Sequence, residues 1–162
     1  AHDRPFEVVP GVSSVSAAAA ALGTELTVPG ISQTVVLTRL ARRTAKSLGP
    51  GDDLAAHAAQ GGLLALFLSA GDPERLQEVL LGSGSAFTAA TPAAIVHRAS
   101  WPDEQLVRTT LGSLAAELTQ RGITMSALVL VGEALRPGPD ACVDRSHVYD
   151  PAFATRFRDA VT

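Results

Sequence analysis

The segment that most constrains this chain is LLALFLS, Leu63 to Ser69, which has the length of a strand and is apolar until its last residue. A strand without polar alternation has both faces covered, so it belongs inside a sheet packed between helices. SALVLVG, Ser126 to Gly132, has the same character. Three more strand-like runs accompany these two: TVVLTR (Thr34 to Arg39), AAIVHR (Ala93 to Arg98) and QLVRTT (Gln105 to Thr110). The last two flank the short stretch Ala99 to Glu104 and are expected to pair as an antiparallel hairpin.

Segments of helical length separate the strands. Pro10-Gly11 makes a turn before an alanine-rich helix, where Ser13 or Ser14 can cap the first amides and Gly23 ends the run. Asp52 or Asp53 is placed to cap DLAAHAAQ, which stops at Gly61-Gly62. Asp72-Pro73 offers a cap and a first-turn proline to PERLQEVLL. GSLAAELTQRG puts Leu114 and Leu118 on one face. The order α-β-α-β-α-β-β-α-β predicts a layered α/β domain, a mixed five-stranded sheet flanked by about four helices. Residues 1–135 read as the domain and 136–162 as a tail without a core pattern of its own.

Composition narrows the function classes. The chain has 162 residues, enough for one domain with a real core. With 46% hydrophobic and 18% charged residues, it is not composed like a disordered chain. The net charge of -3 offers no basic excess for nucleic acid. No apolar run reaches the ~20 residues that span a bilayer, and AHDRPFEVVPG does not read as a signal peptide. A soluble cytoplasmic protein is the expectation. The single cysteine, Cys142, excludes an internal disulfide.

The residues alone carry little reactive chemistry. His2, His57, His97 and His147 are not spaced as metal ligands, so no metal site is expected. There is no phosphate-binding glycine loop and no GxSxG elbow. His97, in an apolar strand, reads either as a core or edge residue or as a general base. Asp52-Asp53 reads as helix capping, and Asp103-Glu104 after Trp101-Pro102 as ordinary turn chemistry. The loop from Arg39 to Asp53 holds Arg39, Arg42, Arg43 and Lys46, and reads either as a solvated loop or as a clamp for an acidic ligand.

Several longer strings are more specific. VVPGVSS (Val8 to Ser14) precedes the alanine-rich helix and then LGTELTVPGISQTVVLTR. Further on come LALFLSAG (Leu64 to Gly71), HRASWPDEQ (His97 to Gln105), ITMSALVLVG (Ile123 to Gly132) and RSHVYDPAFATRFR (Arg145 to Arg158). From Phe6 to Arg158 the chain resembles the C-terminal domain of the tetrapyrrole methylases. Within them it is similar to the branch that methylates C11 of precorrin-4, or of cobalt-precorrin-4, to give precorrin-5 in cobalamin biosynthesis. The combination of ASWPDE with the YDPAF tail carries that finer resemblance, since PGVSS is shared across the family.

The resemblance implies S-adenosylmethionine as methyl donor, held between two domains, and a homodimer. The family's N-terminal domain carries a GPGD-type turn and a GDPxxYG-type motif, and neither stands before Phe6. Gly49-Pro50-Gly51-Asp52 imitates the first in letters but follows the wrong strand, and Asp72-Pro73 lacks the tyrosine of the second. The expectation is a C-terminal domain without its N-terminal partner, inactive alone. By resemblance, Val12, Ser13, Ser14, Phe67, Leu68, Ser69, His97, Arg98, Ala99, Ser126 and Ala127 line the donor pocket. Arg39, Arg42, Arg43 and Trp101 are the candidates for the carboxylates and ring of the substrate, and Arg98 is a further candidate for a carboxylate; Trp101 reads either as a stacking surface for the macrocycle or as a plug of the hairpin turn. A competing reading is a non-catalytic module for adenosyl-ligand binding or dimerisation. Another keeps the enzyme but moves it to a different ring carbon, or to a relative such as diphthine synthase.

Overall fold

A computed structural model of the chain describes residues 4–41, 49, 51–136 and 153–154. Nine elements follow in the expected order: α1 (Ser14–Leu22), β1 (Val35–Arg39), α2 (Leu54–Gln60), β2 (Leu63–Phe67), α3 (Pro73–Leu80), β3 (Pro92–His97), β4 (Gln105–Thr110), α4 (Leu114–Gln120) and β5 (Ala127–Val131). Single 3-10 turns precede α4 and follow β5.

The strands form one sheet in the order β1-β2-β5-β3-β4. β1 and β2 are parallel, and every other pair is antiparallel. β3 and β4 form the expected hairpin, pairing His97 with Gln105 at its tip. The last strand, β5, inserts between β2 and β3, which explains why the runs LLALF of β2 and ALVLV of β5 need no polar face. Leu63 to Leu66 and Leu128 to Val131 are buried, whereas the edge strand β4 buries only Val107.

The sheet separates two cores. On one face Leu54 and Ala58 of α2, Leu76 and Leu80 of α3, and Leu114 and Leu118 of α4 pack on Leu64, Leu66, Ile95 and Val129. On the other face Val15, Ala18 and Leu22 of α1 pack on Leu63, Ala65, Ala94, Val96 and Leu130, with Leu135 beside them. Alternation along each strand distributes these side chains, as Ala94 and Val96 face α1 while Ala93 and Ile95 face the three helices.

Local chemistry fixes the helix ends. Ser13, not Ser14, caps α1, its Oγ accepting the Val15 N–H at 3.3 Å. Gly23 (φ +59°) ends α1 in the left-handed conformation, and the Gly23 and Thr24 amides close onto the carbonyls of Ala20 and Ala19. Asp53 caps α2 through the Ala55 N–H at 3.1 Å. Asp72 stands before Pro73 without making the expected capping bond, because its backbone (φ -149°, ψ 67°) departs from the usual capping conformation. At α4 the side chain of Gln77, on α3, accepts the Ala115 N–H at 2.9 Å and ties the two helices together.

Candidate functional site

Parallel and antiparallel pairing bring five segments to one end of the sheet. β1, β2 and β3 finish there, and β4 and β5 begin there. On the α1 face of this end lies a cleft of about 540 Å3. The start of α1 supplies Val12, Ser14 and Ala17. The ends of β2 and β3 supply Phe67, Leu68, Arg98, Ala99, Ser100 and Trp101. The approach to β5 supplies Thr124, Met125, Ser126 and Ala127. The walls are apolar with a few hydroxyls, and the volume lies in the roughly 300–1,000 Å3 range of small-molecule pockets. Small residues at Ala17, Ala70, Ala99 and Ala127 let the backbone form much of the surface.

The backbone of this cleft is unusual. Among the described residues, four non-glycine residues have positive φ: Leu68 (52°), Arg98 (52°), Ser100 (68°) and Ser126 (53°). All four line the cleft. Each left-handed L-residue costs about 1–2 kcal/mol, and such conformations concentrate at sites where a ligand is held. Leu68, Arg98 and Ser126 lie directly next to a strand end, so each turns the chain sharply where the ladder stops. The Arg98 N–H donates to the Ser126 carbonyl at 2.8 Å and locks two of these turns together.

The β3–β4 turn brings several polar interactions together at the rim. Arg98 pairs with Asp103, and its guanidinium carbon lies 5.5 Å from the centroid of the Trp101 ring. The Ser100 N–H donates to Glu104 Oε2 at 2.6 Å. Backbone bonds from Trp101 N–H to the Arg98 carbonyl and from Glu104 N–H to the Trp101 carbonyl close two successive turns. Asp103 and Glu104 therefore hold a defined rim loop, which is more than their reading as turn formers conveys.

Of the residues singled out from the sequence, the cleft gathers Val12, Ser14, Phe67, Leu68, Arg98, Ala99, Trp101, Ser126 and Ala127. Four described ones lie elsewhere. Ser13 spends its hydroxyl on the α1 cap. Ser69 is fully buried, accepting the Leu40 N–H at 2.8 Å and donating to the Phe67 carbonyl at 2.8 Å. By the alternation of β3, His97 points to the three-helix face, and its Nδ1 is buried with no hydrogen-bond partner among the described residues. Arg39 ends the edge strand β1, in register with Phe67, and does not line the cleft. Arg42 and Arg43 lie outside the described residues. Thr124 and Met125 carry no reading of their own in the sequence; the signal that finds them is their place just before the strand-like run that starts at Ser126.

The family model for tetrapyrrole (corrin/porphyrin) methylases matches residues 1–115. The chain belongs to the tetrapyrrole methylases. It is a homologue of the precorrin-4 C(11)-methyltransferases, 42% identical over 158 residues to the protein of that name from a Sinorhizobium species. That match covers 97% of this chain and 59% of the relative. A solved cobalt-precorrin-4 methyltransferase, described as a cobalamin biosynthetic enzyme, superposes with a TM-score of 0.74 at 40% identity, over 81% of this chain and 53% of that one. The uroporphyrin-III C-methyltransferase of Thermus thermophilus, solved with S-adenosylhomocysteine, superposes with a TM-score of 0.63 at 27% identity, over 83% of this chain and 54% of that one. The chain thus spans between half and three fifths of the length of these relatives. Among its described residues no helix is long and apolar enough to cross a membrane.

Proposed function

We propose that this chain is the C-terminal domain of an S-adenosylmethionine-dependent C-methyltransferase acting on C11 of precorrin-4 or cobalt-precorrin-4 in cobalamin biosynthesis. On this reading residues 1–135 form the domain, 136–162 its tail, and the cleft is one half of a donor site completed by an N-terminal domain. The observation that carries the proposal is the cleft itself, built from strained strand ends in a homologue of precorrin-4 methylases. Its rim supports a two-domain site. Val12 (83% exposed), Leu68 (75%), Met125 (71%) and Trp101 (60%) are large apolar groups left in water at the rim, where a bound ligand and a second protein surface would together cover them.

The residues present fit a nucleoside thioether. Small side chains admit a flat base close to the backbone, hydroxyls at Ser14, Ser100, Thr124 and Ser126 are available to polar edges, and Phe67, Leu68 and Met125 form apolar wall. S-adenosylmethionine, when bound, supplies an electrophilic methyl group on a sulfonium. The task left to the protein is to align this group with a nucleophilic ring carbon and to exclude water.

Calorimetric titration with S-adenosylhomocysteine tests the reading, first with this chain alone and then mixed with the N-terminal half of the Sinorhizobium relative. Binding that appears or tightens strongly in the mixture is expected. Equally tight binding by the chain alone would replace the split site with a self-contained adenosyl-binding module. Absence of binding in both would remove the donor-site reading.

A further inference from the structure

The β3–β4 turn is more elaborate than a hairpin connection requires. Seven residues would join these strands without a tryptophan, an ion pair or two non-glycine residues in left-handed conformation. Here Arg98 and Ser100 both carry that strain. Three interactions within the turn compensate it: Arg98 with Asp103, Arg98 with the Trp101 ring, and the Ser100 N–H with Glu104. What they hold in place is the indole of Trp101, a cleft-lining ring that remains 60% exposed and so contributes little to the core.

We propose that residues 98–104 form a preassembled plate that receives a flat conjugated ring against Trp101, with Arg98, Asp103 and Glu104 as its positioning residues. Arg98 is engaged by Asp103 on one side and by the indole on the other, so its role is to orient the ring and not to bind a free carboxylate. Fixing the plate beforehand removes the ordering cost that a mobile indole would incur on binding. The flat ring is either the purine of the donor or the macrocycle of the acceptor. The inference rests on the reading of the cleft as a ligand site.

Trp101 is the chain's only tryptophan, so labelling this chain with 5-fluorotryptophan gives a single fluorine resonance at the plate. The labelled chain, in the mixture with the unlabelled N-terminal half, is titrated separately with S-adenosylhomocysteine and with uroporphyrin III. The expected result is a saturable ring-current shift with at least one probe. Movement with the first assigns the plate to the purine, and movement with the second assigns it to the macrocycle. Trp101→Ala is expected to weaken that probe about tenfold or more, the scale of losing one base–aromatic stack, while Trp101→Phe retains most of the affinity. Asp103→Asn and Glu104→Gln are expected to weaken it at least about threefold and to broaden the resonance, with at most a small fall in melting temperature.

A probe that binds by calorimetry while the resonance stays still and Trp101→Ala binds like the parent would overturn the plate and leave the donor site standing. Loss on Trp101→Ala without any effect of Asp103→Asn or Glu104→Gln would overturn the positioning roles. If neither probe binds, the plate and the donor site fall together.

Discussion

Ser69 Oγ accepts the backbone N–H of Leu40 at 2.8 Å, joining the residue after β1 to the turn after β2. The same hydroxyl donates to the Phe67 carbonyl at 2.8 Å. Both parallel strands end at this point, and the floor of the cleft begins there. Ser69→Ala leaves the buried Leu40 N–H without its acceptor, a penalty of about 1–3 kcal/mol. Urea denaturation should show that loss in the midpoint at constant slope. A variant as stable as the parent would mean that the strand ends are held by packing alone.

Gly132 sits at the end of β5 with φ +153° and ψ 162°, a region open almost only to glycine. An added Cβ would lie 2.5 Å from the Gly62 carbonyl oxygen and 3.1 Å from Leu63 Cα. Both contacts are backbone, in the middle of the sheet, and neither can swing away. Gly132→Ala should therefore destabilise by about 3 kcal/mol or more, the sum of backbone strain and overpacking. Gly23→Ala makes the comparison, because its Cβ would meet nothing within 4 Å and only the left-handed φ is penalised. There the expected cost is about 1–2 kcal/mol. Thermal melts of the two variants decide the point, and equal losses would show that space around Gly132 is not what matters.

Much of this architecture was readable from residues. β4 agrees with its expected limits, because Gln105 to Thr110 begins and ends against turn residues. Three deviations, all at the cleft end of the sheet, have one cause. The reading carried β2 through Leu68 and Ser69, β3 through Arg98, and began β5 at Ser126. Leu68, Arg98 and Ser126 are the residues that turn left-handed. Nothing in the side chain of a leucine or arginine signals that conformation; tertiary contacts impose it. The placement of β5 between β2 and β3 was equally hidden, since two continuously apolar strands do not encode which neighbour they pair with. For the site, strand ends locate the cleft, and Ser13 and Ser69 stay outside its lining for a shared reason. A hydroxyl beside a free backbone group is consumed locally before it can serve a ligand.

Arg108 crosses from β4 to the α1 side of the sheet. Its Nη2 donates to the Leu22 carbonyl at 2.5 Å and its Nη1 to the Leu135 carbonyl at 3.3 Å. One guanidinium thus gathers the C-terminus of α1 and the turn after β5, where the Thr24 hydroxyl also reaches the Ala134 carbonyl. A cation at a helix C-terminus is also favoured by the helix dipole. Arg108→Met keeps much of the aliphatic stem and removes both bonds, with an expected loss of about 1.5–3 kcal/mol for hydrogen bonds to a charged group. Hydrogen exchange should show that loss first in the last turn of α1. Unchanged protection there would place the anchor of α1 in its apolar contacts with Leu63 and Leu130.

Leu68 separates the needs of folding from those of the cleft. The residue is 75% exposed and its φ is +52°, so the folded domain gains little from it and bears its strain. Leu68→Gly removes a conformational cost of about 1–2 kcal/mol and adds roughly 0.4–1 kcal/mol of unfolded-state entropy. The variant should be as stable as the parent or up to about 1.6 kcal/mol more stable. If the cleft holds the donor, the same change removes an apolar wall. Affinity for S-adenosylhomocysteine should then fall about tenfold, the scale of part of a leucine's burial. Denaturation and calorimetry on the one variant test both halves. Opposite movement of stability and affinity would mark Leu68 as a residue kept for binding at the expense of the fold. A joint fall would make it a packing residue, and the strain at the end of β2 would then belong to the sheet and not to the ligand.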